Sequence, residues 1–206
     1  MTVRLRSGLK LAAIFLAALG TIYLPGMAAH LVYQHPHAFG LKQINHGELV
    51  AVNADMGHLQ FQQQGKMMAL SQYSKKWLMV YFAQDGCEDH CIDRIFYLHQ
   101  IRIALGKNQQ RLETLLILPK DVHTHGQAII DSLHYGDVGQ VTANEAQQQA
   151  LMRILKQADP GTEAWHHNQL FLLDPNSRIV LRYQQGTQPK AIYQDLKRLL
   201  EVSQIG

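Results

Sequence analysis

Acidic residues are absent from the first 33 positions of this 206-residue chain, although the chain holds 16 of them in all. Those positions carry three of its 19 lysines and arginines, so the remainder has 16 residues of each sign and is formally neutral. A neutral body without a basic stripe argues against a nucleic-acid partner. The chain also lacks internal repeats and low-complexity tracts. Its length suits one domain plus an appendage.

The appendage is the long apolar run from Leu11 to Tyr33, which follows three basic residues. A run of about 20 apolar residues is what a bilayer-spanning helix needs. Basic residues before it predict a cytoplasmic N-terminus and an exported C-terminal body. The alternative is a cleaved signal peptide, because Gly26-Met27-Ala28 is a weak cleavage pattern. The apolar run continues past Pro25, which favours an anchor. The predicted organisation is an anchor over 1–33, a linker over 34–45 and a domain over 46–206.

Cysteine is scarce, since Cys87 and Cys91 are the only two in the chain. An unbroken apolar run, Trp77 to Phe82, precedes them and is typical of a strand buried on both faces. Apolar residues at helical spacing follow and predict a helix that ends near Gly106; these are Ile92, Ile95, Phe96 and Ile103, with Leu98, Ile101 and Leu105 on an adjoining stripe. Residues four apart share one face of a helix. Both sulfurs can therefore bind one ion or close a disulfide.

The remaining elements predict an α/β, thioredoxin-like fold with an N-terminal β-hairpin extension, preceded by one transmembrane helix. The expected elements are short strands over 48–52, 58–63 and 67–70, a strand over 112–118, a short helix over 126–134, a helix after a capping box at 142–145, a hairpin of 169–173 with 179–183, and a closing helix around 192–200. The order β-α-β-α-β-β-α is that of the thioredoxin fold.

The Cys-x-x-x-Cys pair after a buried strand, with a later His nine residues before the Pro of a hairpin turn, resembles the Sco-type (SenC-type) proteins. The segments 45–49 and 100–107 resemble a diverged proteobacterial subset of this family more than its typical members. The resemblance implies a membrane-anchored thioredoxin fold in the periplasm that handles copper and thiols. Its implied partner is a cytochrome c oxidase subunit or another assembly factor. Its implied Cu(I) ligands are Cys87, Cys91 and His166, and His167 is adjacent. A proline usually follows each cysteine in the family, whereas Glu88 and Ile92 stand here.

The predicted topology brings the same residues together. If strands 76–82 and 111–118 are parallel neighbours, their following loops open on one edge of the sheet, where α/β proteins bind ligands. An antiparallel strand starting near Gln169 begins at this edge too. Two thiolates and an imidazole form a soft ligand set that suits Cu(I). The alternatives are a thiol–disulfide reductase with Cys87 and Cys91 as its redox pair, and a membrane scaffold with a structural disulfide. The carboxylates near the cysteines disfavour a thiolate, which weighs against the reductase.

Overall fold

The structure is a computed structural model, and it describes residues 2–34, 44–50, 54–83, 89–120, 136–158 and 169–203. The chain divides into two compact units, residues 1–44 and 45–206. The first unit contains the helix α1 (Thr2–Gln34), which has Pro25 in its interior. Within the described residues, we find no helix that combines the length and apolar character needed to cross a bilayer. The anchor expected over 1–33 stays a prediction.

The described part of the second unit contains eight strands and three α-helices. The strands are β1 (Glu48–Leu49), β2 (Gln60–Gln63), β3 (Lys66–Ala69), β4 (Trp77–Phe82), β5 (Leu112–Pro119), β6 (Val138–Ala143), β7 (Gln169–Leu173) and β8 (Ile179–Tyr183). The helices are α2 (Asp89–Ala104), α3 (Glu145–Ala158) and α4 (Pro189–Val202), with 3-10 turns at Leu70–Tyr73 and Gly106–Arg111. All eight strands form one sheet in the order β1-β8-β7-β4-β5-β6-β2-β3. This arrangement is the α/β fold expected from the sequence.

Strand β4 lies in the middle of the sheet. It runs parallel to β5 and antiparallel to β7, and β5 is parallel to β6. All six of its residues are buried, as the apolar run predicts. Alternate side chains enter two cores. Trp77, Met79 and Tyr81 pack with α2 and α4, whereas the residues between them pack with α3 and with residues 54–61. Fully burying one such side chain contributes about 1.5–3 kcal/mol, so β4 ties both layers together.

The N-terminal hairpin is confirmed for β2 and β3, which join through a two-residue turn at Gln64 and Gly65 with positive φ at both positions. Strand β1 does not belong to it. It pairs instead with β8 at the opposite edge of the sheet.

Strand β6 was not expected, because its sequence, Val138 to Ala143, has no sustained apolar run or alternation. The helix expected over 126–134 lies outside the described residues.

The structure decides one question that the sequence left open, and it corrects one local expectation. On α2 and the residue after it, the adjoining stripe of Leu98, Ile101 and Leu105 faces the core together with Ile95, whereas Phe96 and Ile103 are 42% and 51% exposed. The capping box of α3 lies two residues later than expected. The side-chain Oδ1 of Asn144 accepts from the Gln147 backbone N–H at 2.9 Å, and the side-chain Oε1 of Gln147 accepts from the Asn144 backbone N–H at 2.8 Å. The expected cap at Thr142 is wrong because this residue belongs to β6 and pairs there with Leu118.

Candidate redox and metal site

The carboxyl ends of β4 and β5 and the start of β7 meet at one edge of the sheet. Phe82, the last residue of β4, is opposite Ile117 of β5 on one side and Gln169 of β7 on the other. The convergence expected from the sequence is therefore confirmed for the strands. The segments that leave this edge, 84–88, 121–135 and 159–168, contain Cys87, the 121–125 loop and His166. They lie outside the described residues, so ligation by these side chains stays a prediction.

Cys91 is the described member of the cysteine pair. It is the third residue of α2, is 4% exposed and packs in the same core cluster as Tyr81 and Leu170. Its sulfur is disulfide-bonded, and Cys87 is the only other cysteine of the chain. The first turn of a helix carries free N–H groups and partial positive charge, which stabilise a thiolate when such a bond is reduced. Cys91 is thus an inner, shielded sulfur at the start of α2.

A cavity of about 460 Å³ lies one helical turn beyond Cys91, between α2 and the turn that joins β8 to α4. Tyr81, Arg94 and Tyr97 are among its lining residues. Burial raises the pKa of Tyr81 to about 12, an effect that the Arg94 charge opposes. Burial also lowers the pKa of Arg94, whose Nη1 donates to the Thr187 carbonyl at 3.1 Å. A phenol and a partly buried cation therefore lie close to the cysteine end of α2.

Comparison with known proteins identifies the family. The family model described as "Transmembrane-like, thioredoxin-like, C-terminal domain" matches residues 77–203, more than half of the chain. The chain belongs to this family. The match covers β4 to α4 and therefore includes both cysteines. No curated protein matches the chain.

Several solved structures are similar to this chain in fold. The apo Sco1 protein from Thermus thermophilus has 15% identity and a TM-score of 0.58, over 75% of this chain and 96% of that one. A thiol:disulfide interchange protein from Bacteroides sp. has 13% identity and a TM-score of 0.56, over 75% and 93%. The copper-bound ScoI from Bradyrhizobium japonicum has 18% identity and a TM-score of 0.50, over 70% and 98%. At these identities the likeness shows the thioredoxin-like fold alone.

Within the thioredoxin-like domain, Asp195 is a buried carboxylate that sequence reasoning missed. It lies on α4 and is 2% exposed. Its Oδ2 accepts from the backbone N–H groups of His46 and Gly47, each at 2.8 Å, and from the Tyr183 hydroxyl at 3.3 Å. Its Oδ1 lies 3.0 Å from the His46 Nδ1. The signal in the sequence is a single acid among the apolar positions of α4. We call these four residues the Asp195 clasp. Two residues of the 45–49 segment, His46 and Gly47, belong to it, so this segment has a structural role in the domain.

A second polar cluster lies at the other edge of the sheet, where β5 begins. The Arg102 Nη1 donates to the Asp137 carbonyl at 2.8 Å and is 3.8 Å from the Glu113 carboxylate. Glu113 also pairs with Lys76 at 2.5 Å, and Asp137 with His99 at 2.7 Å. The segment 100–107 therefore contributes Arg102 to a structural network near the C-terminal end of α2, whereas Cys91 lies at the N-terminal end. Among the described residues, no group of three His, Cys, Asp or Glu side chains is placed to hold a metal ion.

Proposed function

We propose that this chain is a Sco-like protein whose Cys87–Cys91 pair cycles between a disulfide and a dithiol, and that the dithiol holds Cu(I) together with His166. The observation that carries the proposal is the disulfide-bonded, buried Cys91 at the start of α2. This position is at the carboxyl edge of the central strands, where α/β sheets bind ligands. A disulfide that closes so short a loop contributes less to stability than one that closes a long loop. This difference favours a chemical role for the cysteine pair over a purely structural one.

The donor set fits Cu(I) once the disulfide is reduced. Thiolate sulfur, not disulfide sulfur, is the metal ligand, and two thiolates with an imidazole are soft enough for Cu(I). The segment that contains His166 leads into β7 at Gln169, directly opposite the end of β4. A bound Cu(I) would supply a soft cation for delivery. The chain itself would supply a ligand set that exists only in the reduced state.

We further propose that residues 1–33 anchor the chain in the inner membrane and that the domain works in the periplasm. The apolar run from Leu11 to Tyr33 and the three basic residues before it support this orientation. An exported domain next to the membrane is suitably placed to serve a membrane oxidase. The proposed partner is therefore a cytochrome c oxidase subunit or another of its assembly factors. Cells lacking the chain should then contain oxidase with less copper.

The test of copper binding is a competition of the purified chain against a coloured Cu(I) chelator. The reduced chain should bind about one Cu(I) tightly, and the oxidised chain should not compete. Cys87→Ser should abolish tight binding. His166→Ala should weaken it more than His167→Ala, which is the matched control because the two residues are adjacent. If neither histidine matters, His166 is not a ligand.

The second candidate function is that of a thiol–disulfide reductase for an exported partner. It is favoured by Cys91 itself, because a disulfide with one shielded sulfur suits exchange at the other sulfur. Reduction of insulin by the dithiol, without tight Cu(I) binding, would support the reductase. A disulfide that resists reduction and binds no metal would leave a structural disulfide in a membrane scaffold.

A further inference from the structure

The cavity beside Cys91 contains a cation, Arg94, that forms no ion pair with any acidic residue in the described part of the chain. The Arg94 Nη1 donates a hydrogen bond to the Thr187 backbone carbonyl at 3.1 Å. In the described part of the chain, its guanidinium forms no salt bridge, and the groups that act on it besides burial are Tyr81 and Tyr97. A guanidinium has five N–H donors in a planar fork, so most of its donors remain available for a ligand. Leaving a partly buried charge uncompensated is costly, which makes an anion favourable there.

The walls of the cavity are formed by one face of α2 and by the turn around Thr187. On one side Arg94 and Tyr97 lie one turn apart on α2, so they share a face. On the other side the Thr187 N–H and hydroxyl both bond to the Gln184 carbonyl, at 3.1 and 2.8 Å, and Gly186 has a φ of +91° that favours glycine. Asp93 is exposed at the same opening and opposes the binding of an anion, but its effect is weakened because its charge is exposed to solvent. The cavity therefore suits a small acidic group inserted into it.

We propose that this cavity binds the carboxylate of the thiol-bearing molecule that exchanges with the Cys87–Cys91 disulfide, with Arg94 as its main contact. Guanidinium and carboxylate match in a planar, two-bond geometry. Arg94 follows Cys91 by three residues, about 4.5 Å along the helix axis, so a carboxylate bound at Arg94 keeps its molecule within about one helical turn of Cys91. This inference rests on the proposed redox cycling of the cysteines and adds the class of molecule that reacts with them.

The reaction is ordinary thiol–disulfide exchange. A thiolate of the partner attacks one sulfur of the disulfide, a new S–S bond forms to the partner, and the other protein sulfur leaves as a thiolate that takes a proton. A second thiol then attacks the mixed disulfide and releases the partner as its own disulfide. Two partner thiols are oxidised to one disulfide, and the protein gains two electrons and two protons.

The test compares three small thiols on the oxidised full chain, namely 3-mercaptopropionate, 2-mercaptoethanol and cysteamine, which are anionic, neutral and cationic. Alkylation and mass spectrometry count the free cysteines with time. For each thiol, the ratio of the wild-type rate to the variant rate cancels the thiol's own reactivity. Arg94→Gln should slow 3-mercaptopropionate by about fivefold, the effect of about 1 kcal/mol for a partly exposed ion pair. Its effect on 2-mercaptoethanol should stay below about twofold, and cysteamine should react no more slowly.

Two variants make the comparison specific. Lys190→Gln removes an exposed charge near the same turn but outside the cavity lining, and it should change all three rates by less than about twofold. Arg94→Lys keeps the charge but loses the planar fork, so it should restore only part of the rate with 3-mercaptopropionate. If Arg94→Gln slows all three thiols equally, the carboxylate site is wrong, because the change then acts on the disulfide and not on the anion.

Binding is measured separately from exchange, by NMR titration of the oxidised chain with propionate. Saturable shifts of the Arg94 Nε–H and the Gly186 amide, absent from Arg94→Gln, would support the site. Their absence in the wild-type chain would overturn it. A disulfide inert to all three thiols would overturn the proposed redox function instead, while the propionate titration would still decide whether the cavity binds a carboxylate.

Discussion

Replacing Asp195 tests whether the Asp195 clasp stabilises the domain. The carboxylate accepts three hydrogen bonds at Oδ2, from two backbone N–H groups and the Tyr183 hydroxyl, and it lies 2% exposed. In Asp195→Asn the amide oxygen can keep these bonds in neutral form, and the amide NH₂ can face the His46 ring. Charge-assisted bonds contribute about 1.5–3 kcal/mol and neutral ones about 1, so the loss should be about 2 kcal/mol.

Asp195→Ala should cost more, because it leaves the Gly47 N–H and the Tyr183 hydroxyl buried without partners. Each orphaned group costs about 1–3 kcal/mol, so about 4 kcal/mol in total is expected. Urea denaturation of the full chain, followed by circular dichroism, measures both changes. The matched control is Glu201→Ala on the same helix. Glu201 forms a 3.9 Å pair with Lys197 in which both side chains are 54% exposed, and its loss should cost less than about 0.5 kcal/mol. A cost for Asp195→Asn as small as that of the control would refute the reasoning.

Two further predictions concern alkaline stability and topology. Because burial raises the pKa of Tyr81 from 10.0 to about 12, the folded chain retains a proton that the unfolded chain loses in this interval. The free energy of unfolding should therefore fall by about 1.4 kcal/mol per pH unit between these values on account of Tyr81, and Tyr81→Phe should flatten the slope by that amount. Urea denaturation at several pH values measures this, and an identical slope in both proteins would contradict it. A reporter fused after Gly206 should be active only in the exported compartment, and cytoplasmic activity would exclude the proposed location.

Elements with a strong local pattern could be predicted from the sequence. The six apolar residues of β4 and the turn that begins at Asp174 are of this kind, because burial and turn geometry act within a few residues. The buried stripe of α2 could not be chosen, since the helix is apolar on two adjoining stripes and only packing against β4 and α4 decides between them. Strand β6 was missed because its pairing with β5 on one side and β2 on the other imposes a strand on a weakly apolar sequence.

The candidate site also has features that could be predicted from the sequence and features that could not. The position of Cys91 followed from a strand that turns into a helix, and the meeting of three strand ends followed from parallel pairing. Asp195 could not be predicted, because its two backbone partners are 148 and 149 residues away and backbone N–H groups leave no trace in the side-chain pattern. Arg94 was not singled out either, since the opposite wall of its cavity, around Thr187, is 93 residues further along the chain.

The proposed copper binding and the proposed thiol exchange would be linked through the redox state of the same two sulfurs. A disulfide offers no thiolate to Cu(I), so reduction has to come before metal capture. Conversely, a thiolate held by a metal is a poor nucleophile, so Cu(I) should protect the reduced pair from oxidation and from alkylation. The first event in either function is therefore the same exchange reaction at Cys87–Cys91. What separates the two functions is the next step, because a chaperone needs the His166 segment to complete the ligand set, whereas a reductase needs only access for an oxidised partner.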